Sequence, residues 1–429
     1  MINLTIRHAR LATMTGPQAA PGDGPLAIVE DGALAVDGEK IAFVGPDHEL
    51  AQKVASGELS RERGTQEIDA AGALVTPGFV DPHTHLLFAG DRAGEFAMRV
   101  SGASYQDAAP QTAQTGVGIL STVQATRAAT DDHLVDGARQ RITRLVHAGV
   151  TTVEVKSGYG ASLDQELRLL RLIRRAGEVA GCDVVPTLLG LHAVPPEMDR
   201  HSWVKVVATE LTSEVAKQGL AHGCDAFCDK GAFTTDECRT ALEAGVRAGL
   251  VAHLHADQLT NTAGAALAAV IGCSSADHLE RTGAAGIEAM ARAGTTAVLL
   301  PIAAWFLRDS KPAQAAPFLA AGVPVALGTN LNPGSQRLEG YSLLLAAGCL
   351  FSGLTPAQAL WACTFGAARA LHLADRGALA AGLRADIVLH ATRDPAHLPY
   401  HAGVDHARFV LRRGQVILDL RHDPALNCG

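Results

Sequence analysis

Val75-Thr-Pro-Gly-Phe-Val-Asp-Pro-His83-Thr-His85 decides how this chain is read. A short apolar run ends there in two histidines, and residues two apart on an extended segment project from the same face. Two imidazoles at that spacing can grip one ion from the end of a strand. They set the expectation of a metal site at the mouth of a barrel. Near the other end of the chain, where such a site calls for an acidic residue, stands Leu327-Gly-Thr-Asn330-Leu-Asn332-Pro-Gly-Ser335, with an amide in its place.

From residue 75 onward short apolar runs recur, each closed by a polar residue and followed by a helical stretch. They fall at 75–80, 151–156, 184–189, 224–228, 250–255, 273–277, 296–300 and 324–328. The helices between them carry their own signals. Ser162-Leu-Asp-Gln165 and Thr234-Thr-Asp-Glu237 read as capping boxes, and Leu163, Leu167, Leu170 and Ile173 share one helical face. Strands alternating with helices imply parallel pairing through right-handed crossovers, and eight such units close into a (β/α)8 barrel. Function then belongs at the strands' C-terminal ends.

The flanks read differently. Asp31-Gly32 and Asp37-Gly38 bracket Ala33-Leu-Ala-Val36 and lead to Lys40-Ile-Ala-Phe-Val44, which is hairpin chemistry. Ala385-Asp-Ile-Val-Leu-His390 and Arg408-Phe-Val-Leu-Arg-Arg-Gly-Gln-Val-Ile-Leu418 read as strands again. The expected organisation is therefore α/β: a barrel over 75–375, and a small β-sandwich assembled from 1–74 and 376–429. Residues 340–372 continue as helices closing the barrel.

Composition narrows the function classes. In 429 residues, 48% are hydrophobic and 19% charged, and the net charge of -8 comes without a Lys/Arg block. No electrostatic footprint for nucleic acid or an anionic membrane is present. No stretch approaches the length of apolar chain that spans a bilayer, and the first residues lack the apolar core of a signal peptide. A cytoplasmic protein acting on small molecules is expected. The eight cysteines are scattered rather than framed and read as reduced. Cys224-x3-Cys228 with His222 nearby is the one arrangement that also reads as a zinc site, against buried small hydrophobes.

The strand ends carry the chemistry. The first ends in His83 and His85, the fifth in His253-Leu-His255-Ala-Asp-Gln258, the sixth in Ser275-Ala-Asp-His278 and the eighth in Asn330. His83, His85 and His255 read as metal ligands, because three strand ends of one barrel converge in space. His278 reads as a proton-handling imidazole or a satisfied polar residue. His253, one layer deeper, reads as structural.

This constellation resembles the amidohydrolase superfamily. Gly90-Asp-Arg92-Ala-Gly-Glu-Phe, Glu154-Val-Lys-Ser-Gly-Tyr159-Gly, Gly190-Leu-His192-Ala-Val-Pro, His255-Ala-Asp-Gln258, Ser275-Ala-Asp-His278 and Asn332-Pro-Gly334-Ser335 look, within it, like the imidazolonepropionase family over essentially the whole chain. The resemblance implies one metal ion per chain, Zn2+ or Fe3+, on His83, His85, His255 and the position of Asn330. It implies His278 and the position of Asn330 as catalytic groups, with substrate contacts at Arg92, Tyr105, Tyr159, His192, Gln258, Asn332, Gly334 and Ser335. It also implies a homodimer, and a substrate, 4-imidazolone-5-propanoate, whose propionate suits the fork of Arg92. Read alone, Arg92 is an ordinary ion-pair arginine, Tyr105 and Tyr159 are core residues, and Asn332-Pro-Gly-Ser is a turn. Related binuclear enzymes bridge two metals with a carboxylated lysine, but Lys156 also reads as the partner of a carboxylate.

The departure is Asn330. The eighth-strand residue of the superfamily is an Asp that holds the metal and takes up a proton, whereas an amide is neutral and accepts no proton at neutral pH. Three readings stand: a hydrolase of this type slowed by Asn330, an amidohydrolase for another heterocycle such as a hydantoin or purine, and a ligand-binding relative without turnover. Arg92 argues against neutral purines. Metal occupancy is expected to fall below about pH 6, where free imidazole gains a proton.

Overall fold

The computed structural model describes residues 1–102, 118–337 and 339–421. Its N-terminal part supplies five strands, β1 (Ile2–Ala12), β2 (Ile28–Asp37), β3 (Lys40–Pro46), β4 (Arg61–Asp69) and β5 (Leu74–Pro77). Eight parallel strands follow: β6 (Phe79–Asp81), β7 (Val150–Lys156), β8 (Asp183–Leu191), β9 (Gly223–Cys228), β10 (Val251–Ala256), β11 (Ser275–His278), β12 (Thr296–Leu299) and β13 (Val325–Leu327). The chain then returns to the first sheet with β14 (Ile387–His390), β15 (Ala407–Arg412) and β16 (Gln415–Asp419).

Strands β6 to β13 pair in chain order. The circle closes just beyond the ends of β6 and β13, where Thr84 bridges Leu331, the His85 N–H donates to the Leu331 carbonyl (2.9 Å) and the Asn330 N–H donates to the His83 carbonyl (2.9 Å). This is the (β/α)8 barrel, and its strands are buried along nearly their whole length, as apolar parallel strands must be.

The run expected as the first barrel strand divides at Gly78. Leu74–Pro77 pairs with β1 and β14 in the outer sheet, and only Phe79–Asp81 enters the barrel. Gly78 permits the change of sheet, because a Cβ there would lie 2.2 Å from Thr151 Oγ1. The outer sheet runs β16-β15-β14-β5-β1-β2-β3 with β4 also on β1, so both chain ends build one β-sandwich. Leu4, Ile6, Leu34, Val75, Phe409 and Leu411 share its core. Asp37-Gly38 turns the β2–β3 hairpin as expected, with Gly38 at φ +59°. Asp31-Gly32 makes no turn. It lies inside β2 at a register shift against β1, with Asp31 at φ +44° and Gly32 so near Leu11 that a Cβ would approach to 2.7 Å.

The helices follow their signals with one exception. Thr234 and Glu237 form a full capping box on Thr235–Arg247. Ser162 caps Leu163–Ala180 through the Gln165 N–H, but the Gln165 side chain accepts from Arg168 rather than returning to the cap. Leu167, Leu170 and Ile173 are buried, and Gly181 ends that helix in the left-handed conformation. Cys224 and Cys228 face the helix layer: a Cβ on Gly245 would meet the Cys224 sulfur, while His222 Nε2 turns to the Leu371 carbonyl. They read as packing, and the zinc alternative falls. No helix among the described residues is long and apolar enough to cross a membrane.

Phe409 is fully buried where the C-terminal strands meet the N-terminal ones. Phe409→Ala is expected to cost about 3–5 kcal/mol, read as a lower midpoint in chemical denaturation. An unchanged midpoint would show that the two chain ends do not share a core.

Candidate active site

Four imidazoles meet at the C-terminal end of the barrel. His83 and His85 follow β6, His255 lies near the end of β10, and His278 ends β11. The period-2 alternation of β10 puts His253 and His255 on one face, with His253 a layer deeper, where its Nδ1 faces Ser275 Oγ at 3.0 Å. Among the described residues, the histidine nitrogens of His83, His255 and His278 come within 4.8 Å of one another. His85 joins through its Nε2, 3.3 Å from His255 Nε2. Sequence reasoning separated His278 from the ligands by role; in space it stands with them.

Beneath the imidazoles lies a layer of charge. His83 Nδ1 lies 2.6 Å from Asp277 Oδ2 and His255 Nδ1 lies 3.0 Å from Asp225 Oδ2. A carboxylate facing Nδ1 favours the proton on that nitrogen and leaves Nε2 as the lone pair, the arrangement in which a histidine binds metal. Lys156 Nζ sits 2.9 Å from Glu154 Oε1, 2.8 Å from Asp225 Oδ2 and 3.8 Å from Asp277 Oδ2. Lys156 is thus the partner of carboxylates, and a carboxylated lysine in its place would set like charges against one another.

Burial dominates the titration of this layer. It pushes Glu154 and Asp277 up to about 7 although Lys156 pulls both down. Against the same burial, His255 and Lys156 hold Asp225 well below the usual carboxylate range. Burial and the neighbouring cations drive His83 and His85 well below the ordinary imidazole value, and burial takes His255 down to about 4 although Asp225 opposes it.

The residues fit a metal ion. His83 Nε2 is buried without a hydrogen-bond partner, and the Nε2 atoms of His85 and His255 face each other at 3.3 Å beside it. A buried acceptor left unpaired costs about 1–3 kcal/mol, and a cation between these nitrogens would answer it. The layer below adds an excess of negative charge, with one ammonium against three carboxylates.

Asn330 is buried beside these rings at φ +53°, a left-handed conformation that Asn and Asp enter more readily than other residues. Asn332 Nδ2 donates to the Asn330 carbonyl (2.6 Å) and lies 3.2 Å from Asn330 Oδ1. The Asn332 Oδ1 accepts the N–H groups of Gly334 and Ser335, both at 2.8 Å. Asn332-Pro-Gly-Ser is therefore a tied turn that fixes the loop after β13. Its register is secured by Thr329, whose Oγ1 donates to Asp81 Oδ2 at 2.6 Å.

A cavity of about 580 Å³ opens over the imidazoles. Tyr159, His192, Gln258, Asn332 and Ser335 line it, as does Arg92. Tyr105 lies outside the described residues. Arg92 differs from its expected role: its Nε and one Nη fork onto Glu95 at 2.6 and 2.5 Å, and Gly334 packs against the guanidinium. Sequence reasoning passed over Asp225, Asp277 and Glu95. An acid midway along the apolar run Cys224-Asp-Ala-Phe-Cys228 was the available signal for the first. The cavity rim also carries Lys230, which has no carboxylate within ion-pair distance among the described residues.

Residues 74–418 match the model of the amidohydrolase family. The imidazolonepropionase of Anaeromyxobacter sp. (strain K) is 48% identical over 418 residues, covering 96% of each chain. That of Myxococcus xanthus is 44% identical over 97% of each. Among solved structures, a zinc-bound adenosine deaminase from Xanthomonas campestris superposes with a TM-score of 0.73 at 18% identity, over 98% of this chain and 94% of its own. That likeness is one of fold.

Metal competes with protons for imidazole nitrogens. Because burial depresses their protonation, and His255 titrates only near 4, metal should be retained through pH 5.5 and lost toward pH 4, below the range expected for free imidazole. Metal analysis after dialysis tests this, and half-loss near pH 6 contradicts it. His83→Ala/His85→Ala should hold no stoichiometric metal, and Asp277→Asn should weaken metal binding about 10–100-fold.

Proposed function

We propose that this chain, which belongs to the amidohydrolase family and within it to the imidazolonepropionases, opens the cyclic amide of 4-imidazolone-5-propanoate to N-formimidoyl-L-glutamate in histidine degradation. The observation that carries the reading is the set of carboxylate-backed imidazoles whose Nε2 atoms converge under a cavity sized for a small heterocycle. Kinship over nearly the full length supports the choice of substrate.

His83, His85 and His255 would hold one ion, zinc or ferric iron, since three imidazoles suit both. A metal there acidifies water and polarises a carbonyl. The remaining tasks fall to the chain. His278, turned toward the other rings at φ +79°, is placed to steady the carbonyl oxygen as water adds to the ring carbon. The C–N bond then breaks, and the departing nitrogen needs the proton that water gives up. In an amidohydrolase with Asp at the eighth strand, that carboxylate carries it; Asn330 has no basic oxygen to do so. Tyr159, His192 and Gln258 would meet the polar ring, and the turn at Asn332, Gly334 and Ser335 would face the substrate from the β13 side. The proposal places a homodimer in the cytoplasm, with no nucleic-acid or membrane partner, in keeping with the net charge of -8.

Glu95 already occupies one edge of the Arg92 fork. Arg92→Met is expected to weaken binding of imidazole-4-acetate by about 1.5–3 kcal/mol, the worth of a hydrogen bond to a charged group. Equal calorimetric affinity would assign Arg92 to the Glu95 pair and move the carboxylate to another cation of the cavity lining, Lys230 foremost.

Restoring the proton acceptor tests the reading of Asn330. At equal metal loading, Asn330→Asp should raise kcat on 4-imidazolone-5-propanoate by roughly 10²-fold or more, with a smaller change in KM. Matching rates in parent and variant would mean that another group, His278 foremost, takes the proton. Binding without turnover in both would favour a ligand-binding relative.

A further inference from the structure

Tyr159 stands on a loop, Ser157-Gly-Tyr-Gly-Ala161, that packs against His192 at the end of β8 and whose backbone is held almost entirely by side chains. The carboxylate of Glu166, fully buried in the first turn of the helix Leu163–Ala180, accepts the Gly158 N–H through Oε2 and the Gly160 and Ala161 N–H groups through Oε1, each at 2.8 Å. The Ser157 side chain adds a further bond to it. From the other side Arg127 donates Nε to the Gly160 carbonyl and an Nη to the Ala161 carbonyl, both at 2.6 Å, while its remaining Nη meets Glu197 at 2.6 Å. The Gly158 carbonyl lies 3.2 Å from His192 Nδ1. Neither Glu166 nor Arg127 lines the cavity.

The loop cannot take this shape by itself. Gly158 stands at φ +102° and Ala161 at φ +47°, and a left-handed non-glycine residue costs roughly 1–2 kcal/mol. A Cβ on Gly158 would lie 2.8 Å from His192 Nδ1, so loop and ring are in direct register. The consequence falls on His192. With Nδ1–H donating to the Gly158 carbonyl, the Nε2 of the neutral ring is an acceptor. A ligand that meets this nitrogen must bring a hydrogen-bond donor, such as a ring N–H.

We propose that Glu166 and Arg127 form a clamp of positioning residues that sets the recognition of the substrate ring, by holding Tyr159 in place and fixing His192 as the Nδ1–H tautomer. The inference rests on the functional reading above for the identity of the ring, and on the loop geometry alone for the tautomer. Arg127 is the member to vary first, since its side chain is partly exposed. It bonds the loop's carbonyls rather than any group in the cavity.

The test uses the metal-loaded full-length chain and two readouts. With 4-imidazolone-5-propanoate as substrate and imidazole-4-acetate as calorimetric ligand, Arg127→Met should raise KM and Kd about tenfold or more while kcat stays within about threefold. Arg127→Lys, which reaches one carbonyl but not both, should recover part of that loss. Glu197→Gln, on the solvent side of Arg127, should change neither constant. Nitrogen-15 spectra of the histidines, with His192→Gln to assign the signal, should show Nδ1–H at His192 in the parent and a tautomer mixture in Arg127→Met. Glu166→Gln should act in the same direction; if it does not fold, the Arg127 variants decide. An unchanged His192 tautomer, or a fall in kcat at unchanged KM and Kd, overturns the clamp. A parent chain that neither binds nor hydrolyses these compounds overturns the functional reading instead, and the tautomer spectra still decide the clamp.

Discussion

The site depends on one buried ammonium. Lys156 is about 1% exposed, and taking its charge out of water costs several kcal/mol unless paired. Glu154 and Asp225 pair it directly and Asp277 stands a little farther off. Without the ammonium, three carboxylates would face one another in a dry barrel, and burial would keep at least two of them protonated. Asp225 and Asp277 are also the groups that face the Nδ1 atoms of His255 and His83. The lysine therefore acts on a metal it does not touch. It lowers the titration of Asp277 against burial and helps hold Asp225 negative, and these are the two carboxylates that orient the imidazoles and raise their basicity.

The same residues that form the site also close the fold. β6 and β13 are the shortest barrel strands, of three residues each, and hydrogen bonding between their extensions falls on His83, His85, Asn330 and Leu331. Barrel closure thus sets the distance between the first and last strand ends, and with it the position of every group contributed there. Asp81 secures the seam, taking both the Thr329 N–H and hydroxyl.

What the sequence made legible follows from this geometry. Parallel strands buried on both faces must be apolar runs, so eight of them stood out, and the polar residues ending four of them, β6, β10, β11 and β13, gather at the site. Less legible was anything that depends on two elements at once. The break at Gly78 required knowing that Thr151 approaches it; Asp31-Gly32 looked like a turn because a bulge uses the same residues. Arg92 was read toward a substrate although Glu95, three residues on, is a helical neighbour whose fork only the folded loop reveals. Asp225 and Glu166 carry no local sign of their tasks, since one answers a histidine and a lysine from other strands and the other answers backbone groups.

Asn330 shows where a family resemblance stops carrying information. The position demands a left-handed backbone, an N–H for the barrel seam, and a small side chain under Asn332. Aspartate and asparagine satisfy all three equally, because the two differ by neither volume nor backbone preference. The fold, the histidine cluster and the substrate turn are consequently blind to the exchange, and sequence identity across the whole chain is blind to it as well. What changes is the presence of one proton acceptor beside the imidazoles, a property that no packing constraint protects and that turnover alone measures.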